Sequence, residues 1–575
     1  MRYWVQVPQR RILSTAEGTP NLYFGKLEKI ASKRKYGQAY YSVSVIFFFF
    51  AIFLPPIFVL YYAFSGWNEI ARTVISNSTV YSEIIGATTF SFETAGLVTV
   101  LDVVLGVPMA WIIARGKFVR KQWVDSLVDI PLFVPTSALG FSTGIFWGGS
   151  IFLERDLYIG QLFWKGLFSK GIYLIILLHI AFTFPYVVRG LVAAIEQIDV
   201  THEIAARTLG AAPYTVFRTI SLPLFRAGLL VGALLSFARS LSETGATMMV
   251  SGLYKTAPVL IVDLRTQGTA GIPAAAFISL LLIATAWILL ILVRTFSTQI
   301  KVPFFKVWPN AERVLSSRKP RLLRDGATMA FFMLFIIIPS IFIFAFAIGG
   351  GAGSVSGSQV KEVSWSAFWK SVLLSFELAS VVTLANLLLG LPVAISIARK
   401  RLGILGGILE KLTDVPLVVP TSALGYSLFL FWGAFIGLKG FDIPALTMAH
   451  LSFTYPYIVK TVATSIQGLD PTYEDVARTL GANPLKVFRT VTFPLTKSGF
   501  LAGAVMAFTR SLSETGATMA VAVETKTAPV LIVEWVKYQA LADAGWACIV
   551  LITISYLIML LFRYATSRIG VAERR

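Results

Sequence analysis

The chain has 575 residues, of which 56% are hydrophobic and only 14% charged, with 44 Phe and 13 Trp. Its mean hydropathy is +0.73, and this composition excludes a water-soluble globular protein. The net charge of +20 does not indicate a nucleic-acid binder. About three quarters of the Lys and Arg fall in segments assigned to the inside, where they set topology and attract anionic lipid.

In chain order, residues 1–40 form a polar, Arg/Lys-bearing tail without the apolar core of a signal peptide. Apolar stretches follow at 41–63, 90–114, 125–150, 172–189, 226–250 and 272–293, each near the ~20 residues a membrane helix needs. The seam at 298–325 carries Lys301, Lys306, Arg313, Arg318, Lys319, Arg321 and Arg324 and reads as a cytoplasmic linker. Six more stretches lie at 327–348, 375–398, 412–435, 444–459, 498–520 and 545–562, before a short tail at 568–575. The expected fold is an all-α polytopic membrane protein. It has twelve transmembrane helices in two repeats, 41–297 and 326–567, with both termini cytoplasmic. The lone cysteine, Cys548, sits in the last stretch, so no intrachain disulfide forms.

The halves repeat each other in sequence. DIPLFVPTSALG at 129–140 returns as DVPLVVPTSALG at 414–425, SLSETGATM at 240–248 recurs unchanged at 511–519, and TAPVLIV at 256–262 recurs at 527–533. Each half holds an even number of spans, so the repeats are parallel and related by an axis along the membrane normal. The first half carries extra residues near 151–171.

Between the fourth and fifth spans of each half lies ARTLGA, at 206–211 and 477–482. In the second copy Asp470 is the N-cap, Pro471 opens the helix, and Glu474 and Asp475 favour the positive end of its dipole. Ala477 and Arg478 continue the helix, and Gly481 stops it. Asn483–Pro484 then restarts a helix that reaches Pro494. The first copy has Asp199, Glu203, Ala205, Ala206, Arg207, the Gly210 stop, the Pro213 restart and Pro223. Each half is expected to present two short cytoplasmic helices with no obvious cover. One occurrence would pass for an interfacial amphipathic helix; two suit a twofold-related partner pair. Arg207 and Arg478 are either contacts to that partner or solvated charges.

The fifth spans carry charges that are costly in a membrane. Arg239 and Glu243 share a helix face, as do Arg510 and Glu514. Ser242, Thr247, Ser513 and Thr518 lie nearby, and Gly245 and Gly516 permit close packing or local unwinding. Two readings stand: self-neutralised structural pairs, or the lining of a translocation pathway or gate. Elsewhere, Pro185 and Pro456 should kink the fourth spans, and Pro135–Thr136–Ser137 and Pro420–Thr421–Ser422 should break the third. Asp102, matched by Asn386, is expected to be structural. His179 and His450 are expected near external span ends as interfacial, hydrogen-bonded residues.

The paired loops resemble the "EAA" loop of ABC importer permeases, in which Glu-Ala-Ala precedes a Gly and, further on, Leu-Pro. Gly210 is followed at the right distance by Ile220 and Leu222–Pro223, and Gly481 by Val491 and Phe493–Pro494. Ile204–Ala205–Ala206 and Asp475–Val476–Ala477 stand where Glu-Ala-Ala is expected, so Glu203 and Glu474 are the candidate carboxylates. The resemblance implies a fused permease subunit. Its partners would be two cytoplasmic ABC ATPases docked on these loops and an extracytoplasmic substrate-binding protein near 251–271 and 522–544.

The run from Arg239 to Thr247 resembles one of sulfate and molybdate permeases. Two halves in one chain are instead similar to ferric-iron, thiamine or phosphonate permeases. The implied cargo is a small ion, with an oxyanion preferred. The chain has no Walker-type phosphate loop, metal cluster or catalytic triad, so ATP-Mg is expected on the partner subunits and no cofactor on this chain. The rival reading is an ion-coupled secondary transporter of two parallel halves, which leaves the paired loops unexplained.

Overall fold

The computed structural model describes residues 34–116, 121–148, 171–296, 308–348, 363–400, 402–437, 442–522, 524–538 and 540–572. Among these residues every regular element is helical. The extra stretch near 151–171 lies outside them, Gly171 apart.

Among the described residues eight helices are long and apolar enough to cross a membrane: Lys35–Ser65, Ser78–Arg115, Ile172–Glu196, Pro213–Ser242, Arg318–Phe346, Trp365–Ala398, Pro484–Leu512 and Leu541–Ile558. The third span of each repeat is broken. Trp123–Leu132 meets Thr136–Gly148 at 103°, and Ile404–Leu417 meets Thr421–Phe435 at 105°. The breaks fall at Pro135 and Pro420, where the preceding Val134 and Val419 are forced into extended backbone.

By length and composition the count is therefore eight spans, or ten with the bent pairs, where the sequence predicts twelve. The other two expected positions are also helical, at Ile272–Phe296 and Asp442–Gln467. The second of these includes His450, Thr454 and Lys460, which dilute its apolar character. Pro185 and Pro456 lie inside the fourth-span helices without ending them.

The repeats interlock. In each, the second, fourth and fifth spans form a tight bundle. The first span leaves its own bundle and packs on the other repeat. Phe48, Ala51 and Ile52 join a core otherwise built from second-repeat residues, and Phe332, Ile336 and Ile337 join the mirror core of the first repeat. Matching hydroxyls fix the exchange. Ser142 donates to the Pro339 carbonyl at 2.6 Å and accepts from Ile343 N, while Ser427 donates to the Pro55 carbonyl and accepts from Val59 N. Each hydroxyl thus sits between a carbonyl and the N–H four residues further on, Pro339 to Ile343 in one span and Pro55 to Val59 in the other. Two further cores straddle the repeats in mirror fashion. None of the four belongs to one repeat alone.

The expected linker is partly helical. Pro309–Leu315 forms one short helix, and Arg318–Phe331 runs on into the seventh span.

Candidate functional site

Between its fourth and fifth spans each repeat holds a lever, a pair of short helices: Val200–Thr208 with Pro213–Val216, and Pro471–Thr479 with Pro484–Val487. Asp199 and Asp470 cap the helices Val200–Thr208 and Pro471–Thr479, accepting from Thr201 N and Thr472 N, each at 2.9 Å. The hydroxyl and N–H of Thr201 hold the Asp199 carboxyl below its ordinary range, and the N–H and hydroxyl of Thr472 do the same for Asp470. Gly210 and Gly481 turn the chain with φ of +88° and +83°, a conformation that costs a side-chain-bearing residue about 1–2 kcal/mol. Just before each glycine, Leu209 is 88% exposed and Leu480 82% exposed. Together with Ile204 on one copy and Tyr473 and Val476 on the other, these residues give each lever an apolar outer surface.

Glu203 and Glu474 turn inward instead. Glu203 pairs with Arg115 at 3.1 Å, and Arg115 also donates to the Ile198 carbonyl. Glu474 pairs with Arg399 at 3.2 Å and accepts from the Thr492 hydroxyl at 2.8 Å and from Arg478 at 3.4 Å. Burial pushes the Glu474 carboxyl up, but Thr492, Arg399 and Arg478 outweigh it and hold it below the usual range. The candidate carboxylates thus anchor each lever to the end of the second span of its own repeat. Ile204 and Asp475, at the position where Glu-Ala-Ala begins, face outward. Sequence reasoning missed Arg115 and Arg399, although each stands at the end of its second-span helix.

Of the other loop residues, Ala205, Arg207 and Arg478 are exposed, while Ala206, Ala477, Pro223 and Pro494 are half-buried. Arg478 is tied to Asp475 at 2.7 Å. Each second short helix does not stop at the proline. It passes through a wide turn, Phe217–Ser221 or Phe488–Thr492, and continues into the fifth span. The wider turn lets the helix pass a residue that has no N–H.

The expectation that nothing covers the levers fails at the first one. Glu312 of the linker helix is 1% exposed and accepts from Arg218 at 2.6 Å, from the Thr215 hydroxyl and from Trp308 N. Burial raises the Glu312 carboxyl, and these bonds with the Arg218 charge bring it below the ordinary range. Ser316 accepts from Tyr214 N at 3.0 Å, which caps the helix that Ala212 cannot cap.

The second centre is where the fifth spans cross. Each helix ends, at Ser242 and Leu512, and resumes at Gly245 and Gly516. Arg239 holds Glu243 at 2.6 Å, and Arg510 holds Glu514 at 2.5 Å. The glutamates also accept from Ala246 N at 3.1 Å and Ala517 N at 2.9 Å, across the break. At the crossing itself, a Cβ on Gly245 would lie 2.2 Å from Thr515 Oγ1, and one on Gly516 2.6 Å from Thr244 Oγ1. Thr136 reaches the Ser513 carbonyl at 3.4 Å, and Thr421 reaches the Ser242 carbonyl at 3.3 Å. The broken third span of each repeat therefore touches the broken fifth span of the other.

His179 and His450 are not interfacial. Both are buried, because the fourth spans lie at the centre of their bundles. His179 is bonded to Ser240 at 2.8 Å and to Thr247 at 2.9 Å; His450 is bonded to Ser511 at 2.8 Å and to Thr518 at 3.0 Å. A neutral imidazole donates at one nitrogen and accepts at the other, and a hydroxyl can answer either. Each ring staples the helix before the break to the helix after it. Asp102 is buried and accepts from Thr183 at 2.6 Å and Ser236 at 2.7 Å, whereas Asn386 donates to Thr454 at 2.8 Å and to the Leu451 carbonyl. No group of His, Cys, Asp and Glu suited to a metal occurs among the described residues.

Known proteins match the sequence in both halves. The sequence profile of the binding-protein-dependent transport system inner membrane component matches twice, at residues 103–298 and 390–569. The molybdenum transport system permease protein ModB of Escherichia coli strain K12 is 34% identical over 215 residues, 36% of this chain and 90% of that protein. The molybdate/tungstate transport system permease protein WtpB of Pyrococcus furiosus is 33% identical over 202 residues, 35% of this chain and 78% of that protein. The sulfate transport system permease protein CysT of Escherichia coli strain K12 is 30% identical over 266 residues, 45% of this chain and 91% of that protein.

Proposed function

The chain belongs to the family of binding-protein-dependent transport system inner membrane components, with the unit present twice, and on that premise we propose that it forms the whole membrane pathway of an ABC importer for oxyanions of the molybdate, tungstate and sulfate class. Two separate ATPase subunits dock on the paired levers from the cytoplasm and hydrolyse ATP-Mg. An external binding protein delivers the ion to the segments around 251–271 and 522–544.

The observation that carries this reading is the paired lever. Two glycine-stopped helices each present an exposed leucine, and after each stop a second helix, from Pro213 or Pro484, runs without interruption into a fifth span. Displacement of a lever is carried along that helix to the crossing, where the two repeats meet. Opening the crossing separates Thr244–Gly245 from Thr515–Gly516 and exposes Arg239 and Arg510. Each guanidinium then exchanges a glutamate for the passing oxyanion, with Ser242, Ser513 and the threonines as further donors. The names of the three relatives support the ion class.

The test is uptake of labelled molybdate, tungstate and sulfate into proteoliposomes holding the full chain, its ATPase pair and its binding protein. Uptake should require ATP and the ATPases. Gly210→Val and Gly481→Val, which add a Cβ in open space but at positive φ, should each weaken ATPase capture and cut uptake at least tenfold. Uptake at an undiminished rate without the ATPases overturns the proposal.

A further inference from the structure

The linker grips the first lever through Glu312, and the sequence contains a second copy of that grip. Residues 308–319 read Trp-Pro-Asn-Ala-Glu312-Arg-Val-Leu-Ser316-Ser-Arg-Lys, and residues 24–35 read Phe-Gly-Lys-Leu-Glu28-Lys-Ile-Ala-Ser32-Lys-Arg-Lys. An aromatic residue, the glutamate, a basic residue, a branched apolar residue, the serine and a terminal Arg-Lys recur in the same places. The register is not chosen to favour the match. The offset that sets 28 on 312 (312 − 28 = 284) also sets Pro55 on Pro339, Asp102 on Asn386 and Arg115 on Arg399, and structure pairs those positions independently. The internal repeat thus extends into the tail ahead of the first span.

The cation that receives Glu312 is duplicated too. Arg218 lies in Val216–Phe217–Arg218–Thr219, and its counterpart is Arg489 in Val487–Phe488–Arg489–Thr490. Thr215, the other partner of Glu312, is replaced by Lys486, which adds a second positive charge at that position.

Beside the second lever lies a groove of about 290 Å³, lined among others by Gly37, Tyr40, Leu391, Pro484, Leu485 and Phe488. Gly37 and Tyr40 belong to the first helix, whose described residues begin at Arg34. The chain on the N-terminal side of Arg34 therefore starts at this groove.

We propose that residues 24–32, which lie outside the described residues, dock on the second lever in the way residues 308–316 dock on the first, with Glu28 paired to Arg489 and Lys486. Phe24 takes the place of Trp308, whose ring lies against the Arg218 guanidinium at 5.6 Å in the first dock. One detail of the first dock is not repeated. Asn483 caps its own helix by accepting from Lys486 N at 2.8 Å, so Ser32 has no capping task there.

The arrangement has a mechanical consequence. The linker leads into the seventh span and the tail into the first, and each of these spans packs on the opposite repeat. Each lever is thereby strapped to the entering segment of the other repeat, while the Leu209 and Leu480 tips stay exposed for a partner.

The test uses the full chain in a Cys548→Ser background and needs neither ATPase nor substrate, so its failure is separable from failure of the transport reading. Glu28→Cys with Arg489→Cys is oxidised in native membranes, and linked peptides are identified by mass spectrometry beside the Glu312→Cys/Arg218→Cys pair. A 28–489 link at a yield within a few-fold of the 312–218 link supports the proposal. Its absence, or a preferred link from 28 to a cysteine at 218, overturns it. As a second measurement on purified full-length protein, Glu28→Arg should lower the thermal midpoint by several degrees, and Glu28→Arg with Arg489→Glu should recover most of it. A double variant no more stable than the single one also overturns the proposal.

Discussion

The two levers carry the same cap, the same glycine stop and the same inward glutamate, yet the N-termini of their second helices are capped by different means. In the first repeat Ala212 offers no cap, and the linker supplies one through Ser316 and adds Glu312 beneath Arg218. In the second, Asn483 caps the helix from within. The comparison teaches that the duplicated unit conserves where the helix must start and how it must be held, while the atoms that hold it are free to differ.

The largest effects are expected where the repeats have no room to differ. Gly245→Ala and Gly516→Ala each push a methyl group into a threonine of the other repeat. Both should abolish most uptake and lower the thermal midpoint by a similar amount. A large loss from one and none from the other would break the twofold reading of the crossing. Next comes Glu312→Ala, which removes the buried carboxylate paired with Arg218 and should cost about 3 kcal/mol. Asn483→Ala, which removes the internal cap of the other lever, should cost only about 1 kcal/mol. Thermal unfolding of the purified chain measures both, and equal losses would refute the reading that the buried charge pair outweighs the cap.

His179→Ala and His450→Ala remove two hydrogen bonds each, at about 0.5–1.5 kcal/mol per bond. Their losses should agree with each other, because the staples have the same partners at nearly the same distances. The smallest effect is expected for a transplant. Asp102→Asn with Ser236→Ala gives the first repeat the residues that Asn386 and Ala507 supply at the matching positions of the second, and should change stability by less than about 1.5 kcal/mol. Asp102→Asn alone should cost more, since it changes what Ser236 has to bond.

The sequence pattern revealed most of the levers, because caps and stops are local. Asp199, Asp470, Gly210 and Gly481 act where short-range backbone chemistry demands them. Pro135 and Pro420 likewise predict the broken third spans from their own missing N–H and the strain on the residue before them. What hydropathy could not show is which apolar face meets which. The exchange of first spans leaves no trace in the spacing of Phe48 or Phe332, since a span is apolar on every side. The inward turn of Glu203 and Glu474 depended on Arg115 and Arg399, distant along the chain. The two histidines were misplaced because their depth is set by the bundle around them and not by their distance from a span end.

The interlocking of the halves carries one last consequence. Two identical subunits meeting across a twofold axis must use one sequence for both sides of every contact, so a change that suits one side is imposed on the other. Here each copy always faces its sibling and never itself. Covalent fusion thus releases the halves from self-matching, and they differ where Asp102 and Ser236 of one stand against Asn386 and Ala507 of the other.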